Sequence, residues 1–227
     1  MLFNRIKMSD DEKILYSKLI DFYLSNRDIF DNNQSREMSS SEKKALIKLV
    51  YKRIHYTNNP VSHPLYDSNS TYIDLYRGIN GETEEQLNNY VNEFLSGEVF
   101  FGKNASIYGT GIYMCTDYDT TTKYATYFNN NYGAILNCKV DTKTNIIDYD
   151  NLNNIKDNML NIIRKKYKNT NIINYLSFLE DDGLFASILG YDAIYVKEKN
   201  YVVVLNRGKL IVENIDYVNK KKSTHNI

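Results

Sequence analysis

Tyr108-Gly109-Thr110-Gly111-Ile112-Tyr113-Met114-Cys115-Thr116-Asp117-Tyr118-Asp119-Thr120-Thr121-Thr122-Lys123-Tyr124-Ala125 is the stretch on which the reading of the chain turns. Two glycines one residue apart let a backbone turn tightly, or approach a ligand with no Cβ in the way. Ile112-Tyr113-Met114 then reads as a short apolar strand. Asp117 is placed to cap a helix running to Phe128, because its carboxylate can accept the free N–H groups of the first turn. On that helix Thr121 and Tyr124 share a face, with Tyr127 and Phe128 one turn further on. Tyr113 and Tyr124 can therefore face each other. Two phenol rings across a flat gap form a slot for a planar heteroaromatic group; the alternative is a pair of ordinary core aromatics.

Upstream, Tyr72 to Ile79 alternates as a strand does. Ile73, Leu75, Arg77 and Ile79 share one face. A guanidinium among aliphatics is costly to bury uncompensated. Arg77 thus calls for a buried carboxylate, for water at a strand end, or for an anionic ligand such as a diphosphate, which a guanidinium grips through a bidentate fork. Glu82 to Ser96 reads as a helix with Leu87, Tyr90, Val91 and Phe94 on its apolar face, closed by Gly97.

Downstream, Ala134 to Val140 is strand-like. Asn151 to Lys168 is an amphipathic helix with Leu152, Ile155, Met159 and Ile162 inward. Asn171 to Glu180 reads as a short helix, and Leu184 to Leu189 is an apolar run ending at Gly190. Glu180-Asp181-Asp182 reads as a helix cap or solvated loop, not a metal site, since neighbouring acids point in different directions. Tyr191 to Val196 and Tyr201 to Asn206 are β-rich, with Lys197-Glu198-Lys199-Asn200 as the turn between them. Lys209 to Val212 reads as a last strand, or as a continuation of the preceding one past Arg207-Gly208.

Toward the N-terminus, Ser9 to Glu12 and Ser39 to Glu42 have capping-box spacing and open two amphipathic helices, at 9–26 and 39–54. They read as a helical lobe docked on the core, or else as a target-docking arm. His55 and His63 lie in a stretch holding both prolines. They have no cysteine or acid at metal spacing, so no metal is expected there.

Gly-x-Gly-Ile-Tyr at 109–113, followed by a hydroxyl residue at Thr121 and Tyr-Ala at 124–125, resembles the nicotinamide pocket of poly(ADP-ribose) polymerases and related ADP-ribosyltransferases. Leu75-Tyr76-Arg77-Gly78-Ile79 resembles the opening strand of the arginine-containing branch. Gly190-Tyr191-Asp192-Ala193-Ile194, with the run from Tyr201 to Asn206, resembles the last strands of bacterial and phage mono-ADP-ribosyltransferase domains. The resemblance spans Tyr72 to Val212.

It implies an α+β fold, with an ADP-ribosyltransferase-like core of two packed β-sheets at 72–214. A helical lobe and linker at 1–71 would precede this core, and a disordered tail at 215–227 would follow it. NAD would be the substrate, with no metal. Tyr113 and Tyr124 would sandwich nicotinamide, Thr121 and the Gly78 backbone would bind its carboxamide, and Gly109 and Gly111 would shape the pocket loop. Arg77 would hold the diphosphate. The family's glutamate falls at Asn200 or Tyr201, neither an acid, so Glu198 and Asp192 are the candidate catalytic carboxylates. Ile112-Tyr113-Met114 stands where the arginine-containing branch has Ser-Thr-Ser. No histidine precedes Gly78 as in polymer-forming members, so transfer of a single ADP-ribose to a protein target is expected. The alternatives are an inactive NAD- or ADP-ribose-binding module, or an NAD glycohydrolase.

The remaining bounds are mild. The 227 residues suit one large domain, or one domain with an appendage. Lysines and arginines balance aspartates and glutamates at 28 each, so no global field favours a nucleic-acid target, although a local patch would not need one. Cys115 and Cys138 sit in apolar runs and read as buried, reduced thiols. No apolar run is long enough to span a membrane. Met1 to Lys13 lacks an apolar signal core, so a cytoplasmic protein is expected, or one delivered into a target cell without a Sec signal.

Overall fold

The computed structural model describes residues 71–96, 107–126, 132–166 and 181–219. The helices read at 9–26, 39–54 and 171–180, the linker with His55 and His63, and Tyr127 and Phe128 lie outside the described residues.

Strand β1 (Tyr72–Gly81) buries Leu75 and sets Ile73 and Ile79 against the core. Helix α1 (Glu84–Leu95) begins at Thr83, whose hydroxyl accepts from the Gln86 N–H, while Gln86 Oε1 accepts from the Glu82 N–H. These bonds satisfy donors that the first turn leaves free. Leu87, Val91 and Phe94 recur at helical spacing and are buried. Strand β2 (Ile112–Cys115) leads into helix α2 (Tyr118–Ala125), which Asp117 caps by accepting from the Thr120 N–H.

Next come β3 (Tyr132–Asp141), β4 (Ile146–Asp148) and helix α3 (Tyr149–Lys166). The apolar run after the acidic triplet is a buried helix, α4 (Asp182–Leu189), capped by Asp181 and ended by Gly190 at φ 94°. Strands β5 (Ala193–Val196), β6 (Tyr201–Val204) and β7 (Leu210–Asn219) complete the described chain.

The fold is mixed α/β, compatible with the α+β class. Among the described residues seven strands are ordered β4-β5-β6-β2-β1-β3-β7, all neighbours antiparallel except β4 and β5. Where two packed sheets were expected, these strands form one hydrogen-bonded sheet, nearly parted at a seam. β1 pairs with β3 at ten successive positions, but with β2 at one, Tyr76 opposite Cys115. Beyond that pair the Tyr113 carbonyl is met by the Arg77 side chain, at 2.9 Å. One core nonetheless spans the seam: Leu75, Leu136 and Val140 from one side meet Ile112, Met114, Val202 and Val204 from the other, under α1.

β7 runs to Asn219, so the core boundary drawn at 214 falls inside a strand. Glu213, Asn214 and Asp216 interrupt its apolar pattern, yet ten-residue β3 offers a pairing edge as far as Tyr132 opposite Asn219.

Candidate functional site

The seam opens into a cleft of about 220 Å³ lined by Tyr76, Arg77, Gly78, Tyr113, Met114, Cys115, Tyr124 and Tyr201. Arg77, Gly78, Tyr113 and Tyr124, singled out in the sequence, thus line one cavity. Gly109, Gly111, Thr121, Asp192 and Glu198 are not among its lining residues.

Arg77 is half-buried, and desolvation lowers its pKa from the usual arginine value. Its Nη1 donates to the Tyr113 carbonyl, and its guanidinium carbon lies 5.6 Å from the centre of the Phe94 ring. Its Nε is buried with no hydrogen-bond partner among the described residues. The described ion pairs are Lys139–Glu213 and Lys156–Asp182, so no carboxylate neutralises Arg77 there.

Gly78 has a packing role. A Cβ there would stand 2.7 Å from both the Ala125 nitrogen and the Thr121 oxygen, so its absence lets α2 seat directly on β1. Tyr113 is fixed by its hydroxyl, which donates to the Gly109 carbonyl at 2.8 Å and accepts from the Tyr108 N–H at 3.0 Å. That loop is itself clamped. Gly109 adopts φ 84°, and a Cβ on it would stand 2.0 Å from the Gly183 nitrogen. Asp181 accepts from both the N–H and the hydroxyl of Thr110, at 2.8 and 2.5 Å. Gly111 leaves room for Val203. The close approach these glycines permit is therefore to the protein's own chain.

Thr121 is fully buried, and its hydroxyl donates to the Asp117 carbonyl one helical turn back. Tyr124 is 45% exposed at the end of α2, where the Asn80 side chain donates to its carbonyl. Its hydroxyl is hydrogen-bonded to that of Tyr201, and this bond is the main reason that the Tyr201 pKa is raised.

Neither proposed acid lines the cleft. Asp192 is buried at the head of β5, its carboxylate accepting from the Asn206 side chain at 2.8 Å and the Asn145 N–H at 3.2 Å. Glu198 is exposed in the 3-10 turn Lys197–Lys199. That turn ends at Asn200, at φ 53°, whose carbonyl accepts from the N–H and hydroxyl of Thr116 beyond the end of β2. Among the described residues the lining therefore holds one guanidinium and several phenol rings, and no carboxylate. It suits a ligand that joins a planar ring to an anionic group.

Two contributions escaped the sequence. Tyr201 enters the cleft at a place read as belonging to an acid. Arg207, 3% exposed, lies with its guanidinium carbon 4.5 Å from the Phe94 ring centre. Burial, with a smaller contribution from Arg77, lowers its pKa to about 10. An arginine in a short turn after β6 carries no signal that its partner lies on α1.

Among the described residues no helix is long and apolar enough to cross a membrane. No protein-family model matches the chain, and no curated protein matches its sequence.

Proposed function

We propose that the chain is a mono-ADP-ribosyltransferase that cleaves NAD at the nicotinamide–ribose bond and transfers ADP-ribose to a macromolecular target, a protein by preference. One observation carries this reading: Arg77, Gly78, Tyr113 and Tyr124, which the motif resemblance ties to NAD, line a single cleft at the sheet seam.

In the proposed reaction Tyr113 and Tyr124 flank the nicotinamide ring, and Arg77 takes the diphosphate. The C1′–N bond breaks and its electron pair passes to the pyridinium nitrogen, releasing neutral nicotinamide. A target nucleophile bonds to C1′ and gives up its proton. Positive charge develops on the ribose, so a carboxylate aimed there would matter most; losing such a group costs about 10²–10³ in rate. Glu198, exposed in the turn leading to Tyr201, is the acid of choice, because the Asp192 carboxylate is already held by Asn145 and Asn206.

A second reading is an NAD- or ADP-ribose-binding module without turnover. The lack of a carboxylate among the described lining residues favours it.

Incubation with labelled NAD separates the readings. The transferase releases nicotinamide and labels an acceptor that mass spectrometry identifies. Arg77→Ala and Tyr113→Ala each reduce release about tenfold or more, equivalent to about 1.4 kcal/mol of transition-state stabilisation. No release, while NAD still raises the unfolding temperature, selects the binding module. Release without any labelled acceptor across a cell lysate selects a glycohydrolase. Glu198→Gln should abolish turnover where Asp192→Asn leaves residual activity; unchanged turnover in both refutes both acids.

A further inference from the structure

Phe94 is shared by two cations. Arg77 approaches its ring from β1, and Arg207 from the turn between β6 and β7, at 5.6 and 4.5 Å from the ring centre. Arg207 also donates from Nη2 to the Phe94 carbonyl at 2.9 Å and from Nη1 to the Leu210 carbonyl at 3.1 Å. The Nε atoms of both arginines are buried and unpartnered among the described residues, and neither forms an ion pair there. Aromatic faces and carbonyl oxygens offset part of the cost of desolvating a guanidinium. They supply no counter-charge. The half-buried Arg77 and the buried Arg207 each disfavour the other's charge. Arg77 lines the cleft, whereas Arg207 is not among its lining residues.

We infer that Arg207 is a positioning residue that holds Phe94 beneath Arg77 and adds a second positive charge, making this end of the cleft a site for a diphosphate-type anion. The inference rests on the assignment of Arg77 to the diphosphate and deepens it. The counter-charge that no described residue supplies is, on this inference, the ligand's own. Arg77 touches the anion; Arg207 acts on it through the ring and through the field.

Inorganic pyrophosphate is the probe, read by calorimetry and thermal unfolding of the full chain. Wild-type protein binds it saturably and more weakly as salt rises, and Arg77→Gln abolishes binding. Arg207→Met binds about tenfold more weakly, the scale of a like charge removed from a poorly solvated site. Without pyrophosphate it unfolds at a similar temperature, because removal of a buried unpaired charge offsets loss of the bonds to the Phe94 and Leu210 carbonyls. A lower unfolding temperature with unchanged pyrophosphate affinity would mark Arg207 as merely structural and overturn the inference.

If Arg207→Met does not fold, Arg207→Gln removes the charge while keeping a hydrogen-bond donor, and carries the test. A loss of affinity of about tenfold upholds the inference; unchanged affinity overturns it. Wild-type protein that ignores pyrophosphate also overturns it, while release of nicotinamide from NAD is judged separately. Pyrophosphate binding without NAD turnover leaves the anion site standing and sinks the transferase reading alone.

Discussion

The two edges of β1 are built to different ends. Toward β3 the strand pairs at every residue, and Leu75, Leu136 and Cys138 are all but inaccessible. Toward β2 it pairs once and then gives way to a side-chain bond from Arg77 and to a cleft. One strand thus serves as a wall on one side and a doorpost on the other. The uninterrupted ladder fixes where Arg77 and Gly78 stand, so the parted edge can stay open without the strand wandering. Damage to the ladder should therefore read out as stability, and damage at the seam mainly as ligand affinity.

The largest effect is expected on the ladder. Leu136→Ala, at a fully buried position, should lower unfolding free energy by about 2–5 kcal/mol in a urea titration. A loss below about 1 kcal/mol would mean that the ladder is not the rigid half. Asp181→Ala comes next. It removes the α4 cap and both ties to Thr110, for about 2 kcal/mol. It should also loosen the loop that holds the Tyr113 hydroxyl, so ligand affinity should fall further than stability alone explains.

Alkaline pH probes the ladder through Cys138. Burial pushes its thiol up to about 12, so the native state keeps a proton that the unfolded chain loses from about pH 9. The contribution of this thiol is complete below about pH 9 and declines as pH rises toward 12. By pH 10 on the order of 1 kcal/mol should be gone, and Cys138→Ala should remove that share of the pH dependence. Cys115, at the single seam pair, is raised in the same direction by burial. The smallest effect belongs to Tyr201→Phe. It deletes the hydroxyl bond to Tyr124 and should cost less than about 1 kcal/mol, while freeing the Tyr124 ring to swing. A larger loss would show that this bond closes the seam as a structural tie.

Much of the frame was legible because it rests on local signals. Period-two alternation marked β1, helical spacing marked α1, and Asp117 marked a helix start that the fold uses. Convergence of Arg77, Gly78, Tyr113 and Tyr124 could be anticipated from motif spacing. What the glycines approach could not be. Gly109 meets Gly183, and Gly78 meets Ala125, partners distant in sequence. The Thr121 hydroxyl turned back to its own helix, a bond any helical threonine can make. The end of β7 was hidden because its polar residues serve contacts made elsewhere in the sheet: Asp216 accepts from Tyr118 and Asn137. Arg207 was invisible for the same reason in its strongest form, since its role is defined wholly by a ring on another element.

The outer strands of the sheet bear on how a macromolecule could engage it. Among the described residues, β4 closes one margin with three residues. β7 closes the other, where the register slips between Asn137 and Cys138 and leaves Glu213 as the extra residue, exposed and ion-paired to Lys139. A stub and a kinked, acid-bearing margin are poor templates for an incoming strand. Among the described residues, engagement through backbone zippering is thereby disfavoured at both flanks of the sheet.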